Sequence, residues 1–139
     1  MVQEQSDKLY VPFIGRPVIT RCYVDASFGM LIGDDADTEI RIEGTFQLNY
    51  PDKQLEFSPD DQFDRRSVFG PALDLYGKTI EHIIAFEDGG LEVAFKNGPV
   101  LTVLPDPHYE PWELVSKDGR RIVSLPGGGL AKWSPVSNS

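Results

Sequence analysis

The chain has 139 residues, 40% of them hydrophobic, which suits one compact domain with a single core. It carries 22 Asp and Glu against 13 Lys and Arg, a net charge of -9. That balance counts against binding to a nucleic-acid backbone and suits a basic protein partner, while the lone Cys22 excludes an internal disulfide and a four-thiolate metal site.

Residues 1–9 are polar, lack the apolar segment of a secretory signal and are expected to be flexible. Alternating apolar and polar residues predict strands at 18–24 and 28–32. The acidic turn Gly33-Asp34-Asp35-Ala36-Asp37 leads into a third strand at 38–43, and Gly44, a bend or bulge, separates it from a fourth at 45–50. Residues 58–66, including Asp60 and Asp61, read as a solvated loop. Residues 67–76 break the period of two: Phe69, Ala72, Leu73 and Tyr76 follow helical spacing. Ser67 can cap that short helix, Pro71 falls in its first turn and Gly77 can close it. Strand patterns resume at 80–86, 91–95, 100–104, 112–115 and 121–125, and Leu130-Ala131-Lys132-Trp133 reads as the last strand. Residues 134–139 are expected to be flexible. No apolar run reaches the roughly 18 residues of a membrane span.

The turns carry the topology. Asp88-Gly89, Asn97-Gly98 and Asp118-Gly119 are pairs that supply positive φ in short hairpin loops, which implies antiparallel meanders. The two halves also echo each other: Gly15-Arg16-Pro17-Val18 and Gly77-Lys78-Thr79-Ile80 open similar series 62 residues apart. A structural repeat and a plain likeness between two meanders both fit that echo. The expected fold class is α+β, mostly β: antiparallel meanders forming a sandwich or partly open barrel, with one short helix near residues 67–76, in a single domain over 1–139.

Three motifs invite a functional reading. Gly127-Gly128-Gly129 suggests a phosphate loop, but no Gly-Lys-Ser/Thr follows and no strand–glycine loop–helix unit surrounds it. A tight connection with positive φ explains it better. In Pro105-Asp106-Pro107-His108-Tyr109-Glu110, the alternation of Asp106, His108 and Glu110 would place an acid–base set on one face of an extended segment. No nucleophile accompanies it, since Cys22 lies in an apolar strand where a thiol is usually filler. With two histidines in the chain and no metal-binding spacing, neither a metal nor a cofactor is expected. Tyr109, Trp112, Trp133 and Phe95 are expected to be neighbours, serving either as core or, for Tyr109 and Trp112, as anchors of a protein interface.

The segments Pro105-Asp106-Pro107-His108-Tyr109-Glu110-Pro111-Trp112 and Ser124-Leu125-Pro126-Gly127-Gly128-Gly129-Leu130-Ala131-Lys132-Trp133 resemble a family of small bacterial proteins, frequent in actinobacteria, whose function is unknown. Its members look like PDPxYEAW followed by LPGGGLAxW, and Leu75-Tyr76-Gly77-Lys78-Thr79-Ile80 fits its LxGxxV segment. This chain departs in having Pro111 where Ala is usual and Lys132 where an apolar residue is usual. The resemblance implies no reaction, cofactor or catalytic residue.

The functional expectation is a cytoplasmic, non-enzymatic protein-binding module, immunity-like or accessory, that covers a basic partner. Asp34, Asp35, Asp37, Asp60 and Asp61 would steer the encounter, and Tyr109 or Trp112 would anchor it. The alternatives are a small-ligand-binding protein or hydrolase using Asp106, His108 and Glu110, and a structural homo-oligomer associating through an exposed sheet face.

Overall fold

The computed structural model describes residues 7–58 and 69–135. Asp60, Asp61 and the expected cap Ser67 lie outside the described residues. Twelve strands and one helical turn follow in order: β1 (Lys8–Tyr10), β2 (Ile19–Val24), β3 (Phe28–Ile32), β4 (Thr38–Ile42), β5 (Phe46–Tyr50), β6 (Lys53–Phe57), α1 (Gly70–Leu73), β7 (Ile80–Phe86), β8 (Leu91–Phe95), β9 (Val100–Val103), β10 (Trp112–Ser116), β11 (Arg121–Ser124) and β12 (Leu130–Trp133). They form two six-stranded antiparallel sheets, ordered β1-β7-β8-β9-β5-β6 and β12-β11-β10-β4-β3-β2. The sheets pack as a sandwich and do not close into a barrel.

Alternation decides which residues meet between the sheets. Met30, Ile40, Leu114 and Ile122 are cross-strand partners on the inner face of the second sheet, as are Val93, Leu101, Leu48 and Leu55 on that of the first. Phe46 stacks on Phe28 and on Phe57 with ring centroids 5.1 Å apart in each case, and Phe69 tilts against the same group. The turn pairs behave as their chemistry requires: Gly89, Asn97 and Gly119 have φ of 104°, 54° and 99°.

The helix departs from its predicted extent. It is a single turn, Gly70–Leu73, after which Leu75, Tyr76 and Lys78 donate to carbonyls three residues earlier. Its buried side are Phe69, Ala72 and Leu75, whereas Leu73 and Tyr76, expected to face the core, are exposed. Tight three-residue bonds wind the chain faster than 3.6 residues per turn and so rotate the buried stripe. Two strands were not foreshadowed. Lys8 and Leu9, inside the segment expected to be flexible, pair with β7, and the polar β6 forms an edge of the first sheet.

The hydrogen-bonding pattern repeats between the halves. β2-β3-β4 form a meander in the second sheet and the chain then crosses to place β5 and β6 in the first; β7-β8-β9 form a meander in the first sheet and the chain crosses back to place β10 and β11 in the second. The registers correspond pair by pair: Met30 with Ile40 answers Val93 with Leu101, and Leu48 with Leu101 answers Leu114 with Ile40. Both β2 and β7 carry an irregularity after their first residue, between Ile19 and Arg21 and between Ile80 and His82. The halves are clasped by Ile19 N–H donating to the Lys78 carbonyl (3.0 Å) and Ile80 N–H donating to the Pro17 carbonyl (2.7 Å). This sets the offset in the first strand of each half at 61 residues, not 62. The difference matters because a one-residue slip inverts a strand's faces: Cys22 answers the inward Ile83, not Ile84.

Removing the centre of the aromatic stack tests this core. Phe46→Ala is expected to lower unfolding free energy by about 3–5 kcal/mol in urea titration. A loss below about 1 kcal/mol would contradict the packing described.

Candidate functional site

The two crossings between sheets lie side by side. The first, residues 43–45, is short; the second, residues 104–111, contains the Pro-rich motif. They are joined where the Pro111 carbonyl accepts the N–H groups of Glu43 (2.8 Å) and Gly44 (3.0 Å). Gly44 is required by this approach, since a Cβ there would lie 2.9 Å from Pro111 Cβ and 3.4 Å from the Tyr109 hydroxyl.

The loop is also tied from within and from behind. Asp106 Oδ1 accepts the backbone N–H groups of His108 (2.8 Å) and Tyr109 (3.3 Å), an Asx turn that sets the loop's curvature. The Asp106 carbonyl accepts the Gly127 N–H at 2.8 Å, linking the Pro-rich motif to the triple glycine. Gly127, Gly128 and Gly129 all have positive φ, and Gly128 N–H donates to the Leu125 carbonyl. Two of these N–H groups therefore serve the turn and its neighbour, which agrees with the connecting role and not with a phosphate loop. Beneath them, the buried Gly89 carbonyl accepts both the Trp112 indole N–H (2.8 Å) and the Ser124 hydroxyl (2.7 Å).

Between the crossings lies a cavity of about 140 Å³. Its walls include Thr45 and Gln47 from the β4–β5 side, Glu56 from β6, Thr102 from β9, and Asp106 and Tyr109 from the loop. Two carboxylates and no Lys or Arg contribute to it. Leu104, 69% exposed, and Tyr109, 37% exposed, supply apolar surface at its margin. Sequence reasoning missed Glu56, Gln47, Thr102, Thr45 and Leu104 as site residues. Alternation marks their outward face, but nothing local reveals that β9, β5 and β6 are neighbours.

The predicted site residues separate. Asp106 lines the cavity, Glu110 lines a different hollow with Arg41, Glu43 and Glu113, and His108, exposed, lines neither. Asp106, His108 and Glu110 thus do not converge as an acid–base set would require. Trp112 is fully buried, so it belongs to the core and not to an interface. Nor do the expected aromatic neighbours assemble: Trp112 and Phe95 are interior, whereas Trp133 stands on the outer face of the second sheet under the Arg121 guanidinium, 5.0 Å away.

The acidic turn is largely answered by local cations. Asp34 accepts from Arg16 at 3.0 and 2.5 Å, and that guanidinium holds its carboxyl below the usual range. Asp37, 7% exposed, pairs with Lys117 at 3.0 Å. Asp35 alone of the three is exposed and lacks an ion pair of this kind, although its charge acts on Lys117. Among the described residues, no three His, Cys, Asp or Glu side chains come together to hold a metal ion, and no helix is long and apolar enough to cross a membrane.

The sequence pattern of a family described as a family of unknown function (DUF6188) matches residues 12–134, and the chain belongs to that family. No curated protein and no solved structure matches the chain.

Two measurements follow from this geometry. Because Trp112 and Ser124 share one acceptor, Ser124→Ala and Trp112→Phe each leave the Gly89 carbonyl with a donor. Urea titration of the double variant is expected to show a loss about 1 kcal/mol or more beyond the sum of the singles, since only then is a buried carbonyl orphaned. Additive losses would show that the two bonds are independent. Burial pushes the Cys22 thiol from its ordinary 9.0 up to about 11. At pH 8 an aromatic disulfide reagent is expected to label it about a hundredfold more slowly than the unfolded chain, and equal rates would contradict the burial.

Proposed function

We propose that the chain is a non-enzymatic protein-binding module that receives a basic partner at the cleft between its two crossings. The observation that carries this reading is the cleft's composition: Glu56 and Asp106 with no cation among the walls, beside the exposed Leu104 and Tyr109. An aromatic and an aliphatic anchor next to carboxylates is the pattern of a contact that excludes water around a charged partner group. The net charge of -9 adds a long-range field that raises the encounter rate with a basic surface. The most concrete form of this reading is an immunity-like or accessory protein that covers its partner.

A second reading uses the same cleft. About 140 Å³ of hydroxyl- and carboxylate-lined space suits a small organic ammonium or guanidinium ion as well as a side chain. The hydrolase version is disfavoured by the separation of His108 from both acids' cavities.

Capture from a lysate of the source cells, run in parallel with wild type and with a Glu56→Gln/Tyr109→Ala variant, separates these readings. The expected result is a stoichiometric basic protein retained by wild type, released as salt is raised and lost from the variant. An identical set of proteins on both baits would sink the proposal. Calorimetric binding of a small alkylammonium ion, with no protein retained, would move the assignment to the second reading.

A further inference from the structure

The outer face of the second sheet carries a different chemistry from the cleft, and it is legible row by row from the strand register. One row crosses all six strands as Trp133, Arg121, Val115, Glu39, Leu31 and Arg21. The next row, two residues along each strand, runs from Ala131 on β12 through Glu113, Arg41 and Gly29 to Tyr23 on β2. Three of the protein's arginines stand here with two glutamates, although the chain as a whole is strongly acidic. Trp133 is 50% exposed and Val115 42% exposed.

We propose that this face is the interface of a homodimer, with a second copy of the chain packed on it about a two-fold axis that lies between the rows and runs across the strands. Such an axis exchanges the rows. Each position of the first row then meets its own strand's position in the second row of the copy. Glu39 is set over Arg41 of the copy and Arg41 over Glu39, so both charges are matched twice. Trp133, large, meets Ala131, small. Leu31 meets Gly29, and Arg21 meets the Tyr23 ring, the pairing that favours cation–π contact. Opposite charges and opposite sizes coincide at these positions because residues two apart on the same strand differ in both. No partner other than the chain itself is needed to account for that coincidence.

The extent of the face is sufficient. Six strands spaced about 4.8 Å apart span about 24 Å, and five residues along each strand add about 17 Å, so two faces bury roughly 1,200 Å² in total. This is the lower end for a specific association, which sets the expected dissociation constant in the micromolar range. The first sheet, whose outward Gln47, Thr102 and Glu56 wall the cleft, stays uncovered. A dimer would therefore present two clefts.

The test is sedimentation velocity across micromolar concentrations with charge-reversed variants. Wild type is expected to shift from monomer to dimer as concentration rises. Arg41→Glu and Glu39→Arg are each expected to raise the dissociation constant about tenfold or more, because each opposes like charges twice across the axis. Mixed in equal amounts, these two variants are expected to form the dimer again, since every Glu then faces an Arg. The mixture needs no third variant to fold, and circular dichroism of each single variant checks that it is native. A wild type that stays monomeric throughout, single variants that still dimerise, or a mixture that stays monomeric would each overturn the proposal. These outcomes do not depend on any partner at the cleft.

Discussion

A single backbone carbonyl holds the functional end of the molecule together. The Gly89 oxygen is buried at the β7–β8 turn and accepts from Trp112 at the start of β10 and from Ser124 at the end of β11. Burying a carbonyl is costly unless it is hydrogen-bonded, so the turn of one sheet is joined to two strands of the other. Through Ser124 the same atom reaches the triple-glycine connection, whose Gly127 N–H then holds the Asp106 carbonyl. Trp112 therefore fixes the end of the Pro-rich loop. The motifs that are most conspicuous in the chain, far apart in sequence, are one assembly in space.

This explains what could be read from the chain alone. Ten of the strands were legible because alternation and Asp-Gly or Asn-Gly turns are local signals. β1 and β6 were not, because an edge strand needs little apolar surface: Lys53-Gln54-Leu55-Glu56-Phe57 takes its pairing from β5 and shows few core residues of its own. The cavity was half legible. Asp106 and Tyr109 were singled out from the motif, but Glu56 and Thr102 reach the site through strand order, which no short window of sequence contains. Trp112 was weighed as core or anchor, and its environment alone decided: an indole N–H with a buried carbonyl to satisfy lies inside.

Charge is distributed by surface and not by segment. The acidic turn that looks most exposed in sequence is tied down by Arg16 and Lys117, which leaves it a structural turn. Arginines gather instead on the outer face of the second sheet, where Arg121 is held by Glu113 at 2.6 Å and Arg41 by Glu43 at 3.2 Å. The first sheet's outer face carries Gln47, Gln54, Asn49 and Thr102 in a hydrogen-bonded network, with Glu56 and Glu92 as its acids. The excess negative charge thus faces away from the arginine rows. One side suits a basic partner and the other a surface of mixed charge.

The repeat gives a reason for the position of the cleft. If the two halves matched throughout, both crossings would be the same length and would close against each other. They do not: the first uses three residues between β4 and β5, whereas the second uses eight between β9 and β10. The extra residues cannot lie in either sheet, since the registers on both sides already correspond. They must bulge outward over the first sheet, and Pro105, Pro107 and Pro111 stiffen that excursion. The cavity is the space left under it, walled on the other side by the short crossing with Gly44. The cleft is therefore where the second half departs from the first, and the Pro-rich motif is the sequence of that departure.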